Sequence, residues 1–83
     1  MSIKHLDLIK KSFELKKRDI DKIKKDENIK LENFNWDSIV VINLISYVSD
    51  KYNKNIQPEK LQKIKTFKNL DNFLNKLISK KSG

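Results

Sequence analysis

The hydroxyl of Ser38 is the side chain whose type and position are best suited to chemistry. It follows Trp36 and Asp37 and stands directly before Ile39, at the start of the longest apolar run in the chain. Aspartate is a good helix N-cap because its carboxylate accepts a hydrogen bond from the backbone N–H groups of the next turn. The pattern therefore predicts a helix that begins at Ser38 and presents the hydroxyl at its N-terminal tip.

Other combinations of chemistry-bearing residues are sparse. His5 is the single histidine and has no Asp or Ser at a spacing typical of a catalytic pair, so we interpret it as a structural residue. Asp19 and Asp21 lack the glycine and the terminal glutamate of a calcium loop. The chain has no cysteine and one glycine, which excludes disulfides, thiolate metal sites and a glycine-rich phosphate loop. We therefore expect neither an enzyme nor a metal site.

The first part of the chain predicts a helix followed by a connector. Residues 2 to about 18 carry apolar side chains at every third or fourth position, which indicates an amphipathic helix capped by Ser2. Ile20 and Ile23 could prolong this helix, but the charged run that follows them is typical of a connector. A long surface loop needs apolar anchors in a compact domain. Three residues can serve as anchors here: Ile29, Leu31 and Phe34.

The segment from Ser38 to about Tyr52 predicts the second helix. Its β-branched residues would also suit a buried strand. We favour a helix because a run of about 15 residues is long for a strand and ordinary for a helix. Its apolar residues also repeat at helical spacing: Val41, Leu44, Ile45, Val48 and Tyr52.

Two further helices are predicted after a polar connector at residues 53–55. Pro58 suits a first helical position because it has no N–H to leave unpaired there, and we expect a short helix from Pro58 to Ile64. Thr66 then caps a last helix with a regular apolar stripe. The members of that stripe are Phe67, Leu70, Phe73, Leu74, Leu77 and Ile78.

Size and composition limit the class of protein. The chain has 83 residues, enough for one domain, and 36% of them are charged, with one glycine and one proline, which is typical of a compact helical chain. No apolar stretch approaches the roughly 20 residues of a membrane span, and the N-terminus lacks the apolar region of a signal peptide. We expect a cytoplasmic protein and, because no long heptad seam is present, a monomer.

The net charge of +8 is unevenly distributed. Residues 1–30 carry +4, residues 31–56 carry −1 and residues 57–83 carry +5, so the segment around Ser38 is not basic. The lysines are spread over both ends and Arg18 is the single arginine, which favours a solvated surface over nucleic-acid recognition. The alternative is a small basic helical module that binds nucleic acid or an acidic protein. Its contacts would be Lys60, Lys63, Lys65 and Lys68.

A series of residues from Asn35 to Phe67 follows the order seen in a known protein family. It consists of Asn35-Trp36-Asp37-Ser38-Ile39, Asn43-Leu44-Ile45, Tyr52, Ile56, Pro58, Leu61, Ile64, Thr66 and Phe67. This order resembles the acyl carrier protein family, whose Asp-Ser-Leu motif receives a phosphopantetheine arm. The resemblance covers residues 31 to 79 and, by pattern alone, residues 1–30. It implies a single carrier domain over residues 1–83, an all-α four-helix bundle with a long connector between helices 1 and 2 and a short third helix.

The resemblance also implies a cofactor and partners. A phosphopantetheinyl transferase would attach 4'-phosphopantetheine to Ser38, and the arm would hold an acyl or aminoacyl group as a thioester. A loading ligase and acyltransferase or synthase enzymes of lipid or secondary metabolite biosynthesis would be the partners. Trp36, which is frequent before Asp-Ser in stand-alone carriers of specialised pathways, could instead pack against the connector. The implied partner-binding residues are Trp36, Asp37, Ile39, Val40, Val41 and Ile42.

The second helix departs from the family pattern in its charge. Positions that are often acidic in the family carry Val40, Asn43 and Ser49 here. We therefore expect partners to bind by apolar contact through Val40, Val41 and Ile42, with little electrostatic steering.

Overall fold

The structure, a computed structural model, describes residues 3–34 and 36–79. Over these residues the chain forms five α-helices and one 3-10 helix. They are α1 (Leu6–Phe13), α2 (Lys17–Lys25), the 3-10 helix Leu31–Phe34, α3 (Ser38–Tyr52), α4 (Pro58–Gln62) and α5 (Phe67–Ser79). The prediction of a small all-α fold is confirmed, whereas the predicted cap Ser2 lies outside the described residues.

The predicted first helix is two helices. α1 ends where Glu14 adopts a left-handed conformation, with φ 53° and ψ 48°. α2 then begins after Lys16, whose backbone N–H donates to the Asp19 carboxylate at 3.0 Å. Because α2 continues to Lys25, the connector before α3 is shorter than expected. A break at a non-glycine residue leaves no signal in the apolar spacing, since left-handed φ is uncommon for such residues.

The core is one apolar cluster to which every helix contributes. Each helix contributes at least one fully buried apolar residue, for example Ile9, Ile23, Leu31, Leu44, Leu61 and Phe67. Of the three expected anchors of the connector, Leu31 is fully buried and Ile29 and Phe34 are partly buried against the cluster. A fully buried side chain of this kind contributes about 1.5–3 kcal/mol, so a small core depends on each of them.

α3 has the bounds that the sequence predicts, and a helix rather than a strand is confirmed. On its predicted apolar stripe, Val41, Leu44 and Val48 are buried, while Ile45 and Tyr52 are partly buried. α3 contacts α1 and α4. It therefore packs against both helices, while its first two residues, Ser38 and Ile39, are exposed.

The connectors before α3 and α5 are hydrogen-bonded to each other. Lys30 and Thr66 form an isolated antiparallel bridge, and the Leu31 N–H donates to the Lys65 carbonyl at 2.8 Å. The Thr66 hydroxyl caps α5 by accepting a bond from the Asn69 N–H at 3.2 Å, as predicted. The segment that leads into α3 is thus tied to the start of α5.

A buried carboxylate holds the N-terminal segment against α5. Asp71 is 3% exposed and accepts hydrogen bonds from the backbone N–H groups of Lys4, at 2.9 and 3.0 Å, and of His5, at 2.7 Å. These donors precede α1, where a helix leaves backbone N–H groups without intrahelical partners. The His5 ring also lies 3.4 Å from the Asn75 side-chain oxygen, which gives the histidine a structural contact.

No helix among residues 3–34 and 36–79 is long and apolar enough to cross a membrane.

Candidate functional site

Ser38 is the first residue of α3, and it is exposed. The preceding Asp37 has an extended backbone and accepts the Val40 N–H on its side-chain oxygen at 3.0 Å. The Val41 N–H donates to the main-chain carbonyl of Asp37 at 3.1 Å. The predicted N-cap is therefore confirmed, and the hydroxyl stands at the N-terminal tip of a helix of 15 residues.

An aromatic cluster supports the segment that leads to Ser38. The ring of Trp36 stacks on Phe13, with centroids 5.3 Å apart and an interplanar angle of 12°. Phe13 in turn contacts Phe67 at 5.2 Å, and Phe34 meets Phe67 edge-on at 5.2 Å. Each such pair contributes about 0.5–1.5 kcal/mol beyond the area it buries. Of the two roles considered for Trp36, the structure therefore supports packing, although its side chain is only half-buried.

The residues that follow Ser38 divide between the surface and the core. Ile39 is 66% exposed and Ile42 is 60% exposed, whereas Val40 and Val41 are 8% and 5% exposed and belong to the core. Residues three apart on a helix share a face, so the two isoleucines form one apolar surface next to Ser38. Val40 and Val41 are buried in this fold, so of the four predicted partner-binding residues on α3, Ile39 and Ile42 are the exposed ones.

The surface of α3 next to the serine is uncharged. No residue from Ser38 to Ser49 carries a charge, a stretch of about three helical turns. Asp37 stands before this stretch, and Asp50 and Lys51 stand after it. The part of α3 from Ser38 to Ser49 therefore offers a partner apolar, hydroxyl and amide groups and no charge.

A cleft lies beside the segment before Ser38. It has a volume of about 390 Å³ and is lined by the side chains of the two joined connectors, including Lys30, Glu32, Trp36, Ile64 and Lys65. Its size is within the range of small-molecule sites. The cleft has both apolar and charged walls and begins two residues before the serine.

His5 and Asp37, the two side chains considered as a base for Ser38, each have another hydrogen-bond partner. A nucleophilic serine requires a base within hydrogen-bond reach, but His5 is engaged with Asn75 of α5 and the Asp37 carboxylate accepts a backbone N–H. Within residues 3–34 and 36–79, no cluster of three or more His, Cys, Asp or Glu residues could hold a metal ion.

Comparison with known proteins yields no relative, because no family model, curated protein or solved structure matches the chain.

The lysines of the alternative function follow α3 in the chain, and one of them, Lys65, also lines the cleft beside Trp36. Lys60 is in α4, Lys63 and Lys65 are in the connector to α5, and Lys68 is in the first turn of α5. All four are exposed. The structure thus contains two candidate surfaces, an uncharged one at the start of α3 and a basic one along α4 and α5.

Proposed function

We propose that the chain is a carrier protein of the acyl carrier type, in which a phosphopantetheinyl transferase moves the 4'-phosphopantetheine group of coenzyme A onto the Ser38 oxygen and releases adenosine 3',5'-bisphosphate and the hydroxyl proton. One observation carries the proposal: an exposed serine is the first residue of α3, directly after an aspartate that caps the same helix. The aromatic stack of Trp36 on Phe13 holds the approach to this residue in place. Exposure and a fixed position are what a modifying enzyme requires.

The order of the later elements supports the same proposal. A long α3, a short α4 that begins with Pro58 and a final α5 capped by Thr66 follow one another, which is the order implied by the resemblance. α2 is an additional helix within what that resemblance describes as a connector. The proposed architecture is therefore an acyl-carrier bundle whose first connector is partly helical.

The residues around Ser38 suit a phosphodiester. The N-terminus of a helix favours a negative group by about 0.3–1 kcal/mol at an exposed position. The Asp37 carboxylate is occupied by the Val40 N–H, so its role is to fix the first turn. When bound, the cofactor supplies a thiol that holds an acyl or aminoacyl group as a thioester.

Partner enzymes would bind the apolar surface formed by Ile39 and Ile42. Both side chains are mostly exposed and lie within a helical turn of Ser38, where a transferase, a loading ligase or an acyltransferase or synthase must approach. The chain presents the cargo on Ser38, and its partners perform the chemistry. In this proposal the protein is not itself an enzyme.

The proposal is tested by modification in vitro. The purified protein is incubated with coenzyme A and a broad-specificity phosphopantetheinyl transferase, and its intact mass is measured. We expect the addition of one phosphopantetheine group to the wild type and to Ser46→Ala, a control that removes an exposed serine from the same helix. Ser38→Ala should remain unmodified. An unmodified wild type, or a modified Ser38→Ala variant, would contradict the proposal.

A further inference from the structure

The second surface of interest is a groove between α4 and α5. It has a volume of about 570 Å³ and is lined by Lys60, Asn69, Asn72, Phe73, Lys76 and Leu77. Phe73 and Leu77 are partly exposed, and the other four residues are exposed. The groove therefore combines an apolar strip with two side-chain amides and two ammonium groups.

The positive charge of this region is less compensated than the sequence suggests. Residues 57–83 contain two acidic residues, Glu59 and Asp71. Asp71 is buried, and its carboxylate accepts backbone N–H groups from the N-terminal segment. Glu59 is therefore the one exposed acidic residue of the described part of this region, beside the exposed lysines of α4, α5 and their connector. The surface attracts an anion.

We infer that the groove between α4 and α5 binds an acidic amphipathic helix of a partner protein. A helix binds a groove of this kind by laying apolar residues at spacings of three and four against the apolar strip. Phe73 and Leu77 are four residues apart on α5 and form such a strip, while Lys60 and Lys76 meet the acidic residues on its flanks. The lining residues of α5 run from Asn69 to Leu77, which gives a contact of about 12 Å along the helix axis.

The shape and chemistry of the groove favour a peptide over other anionic ligands. The groove is open to solvent, whereas a small-molecule site buries most of its ligand. Nucleic acid is bound mainly through its phosphates by lysine and arginine, and the apolar strip between the lysines would be left without a partner. An amphipathic acidic helix uses both the strip and the charges.

This interaction is independent of the proposed modification. The groove is formed by α4 and α5, whereas Ser38, Ile39 and Ile42 are on α3 and line no part of it. The two surfaces can therefore be tested separately in the same protein.

The experiment measures binding of a designed peptide to the whole chain. The probe is a fluorescein-labelled peptide of about 16 residues, roughly 24 Å as a helix, with leucine at every third or fourth position and glutamate at most others. Anisotropy is recorded at an ionic strength of roughly 0.15 M. We expect Lys60→Ala/Lys76→Ala to weaken binding at least about fivefold. A peptide of the same composition with the leucines scrambled should bind correspondingly less well.

Two controls make the result specific. Lys24→Ala/Lys25→Ala removes the same charge from exposed positions of α2 and should leave binding within about twofold of the wild type. Circular dichroism of both double variants should match the wild type, because the replaced side chains are exposed. In the two-dimensional NMR spectrum, the peptide should shift the amide signals of Asn69 and Asn72.

Three outcomes would overturn the inference. Equal losses in the two double variants, or equal affinity for the scrambled peptide, would show that only net charge is recognised. Larger NMR shifts at Ile39 and Ile42 than at Asn69 and Asn72 would place the peptide on α3. Tighter binding of duplex DNA than of the peptide at the same ionic strength would assign the groove to nucleic acid.

Discussion

The start of α3 and the groove between α4 and α5 are opposite kinds of surface in one small fold. Around Ser38, two isoleucines are exposed on a helix that carries no charge before Asp50. Along α4 and α5, lysines surround an apolar strip, and the acidic residue that would offset them, Asp71, is buried. The net charge of +8 for the whole chain describes neither surface. Charge therefore has to be assigned to surfaces before it is used to infer a partner.

The difference implies two modes of binding. An uncharged surface binds a partner through apolar contact and does not raise the association rate by electrostatic steering. A charged surface raises the association rate and makes that rate depend on salt. Modification at Ser38 and peptide binding at the groove should therefore respond differently to mutation and to ionic strength.

The largest effect is expected from Asp71→Ala. The carboxylate is 3% exposed and accepts hydrogen bonds from Lys4 and His5, so its removal leaves backbone donors without their acceptor. We expect a loss of about 1.5–3 kcal/mol in the free energy of unfolding, measured by urea denaturation. Asn72→Ala, a change at the exposed neighbouring position, is the control. Equal stability of the two variants would show that Asp71 does not hold the N-terminal segment.

The next effect is expected from Ile39→Asp/Ile42→Asp. Both side chains are exposed, so the fold should persist, but the apolar surface beside Ser38 is lost. Under the proposed function we expect modification by the transferase to slow by about tenfold, or roughly 1.4 kcal/mol. The rate is followed by intact mass over time. Lys60→Ala/Lys76→Ala should be modified at the wild-type rate, and a reversed order of the two variants would contradict the assignment of the surfaces.

Local signals explain the parts of the fold that the sequence predicts correctly. Asp37 and Thr66 cap the helices that follow them, and such caps depend on residues within one turn. The start of α3, the start of α5 and the exposure of Ser38 could be deduced in this way. Pro58 marks the start of the short α4, which ends at Gln62 and not at the predicted Ile64. These features define the position and exposure of the candidate site.

The sequence predictions fail where the structure depends on contacts between distant residues or on an unusual backbone conformation. The left-handed Glu14 separates α1 from α2, and a glutamate gives no sequence signal for that conformation. The burial of Val40 beside Val41 shows that the bundle covers a wider part of α3 than one apolar stripe. Asp71 binds residues at sequence separations of 66 and 67, which spacing alone cannot reveal.

A smaller effect is expected from Glu14→Gly. Glycine adopts the left-handed conformation without the steric penalty of other residues, which is of the order of 1 kcal/mol. The turn at Glu14 ends α1 just after Phe13, the residue on which Trp36 stacks. The variant should therefore stabilise the end of α1 and the aromatic stack that precedes α3. Denaturation should show a gain of about 0.5–1 kcal/mol. The left-handed Asn53 at the end of α3 is the matched case, and Asn53→Gly should gain less because asparagine tolerates this conformation.

The smallest effect is expected from ionic strength on the rate of modification, and it compares the two surfaces directly. Because no residue from Ser38 to Ser49 is charged, raising the ionic strength from roughly 0.05 to 0.5 M should change the rate of modification by less than about twofold. Over the same range, binding of the acidic peptide to the groove should weaken severalfold, since its lysines are exposed and exposed charges are screened. Both are measured on the wild type in the same buffers. A steep salt dependence of modification would show that lysines outside α3 steer the transferase, and the uncharged surface would then not be what selects the partner.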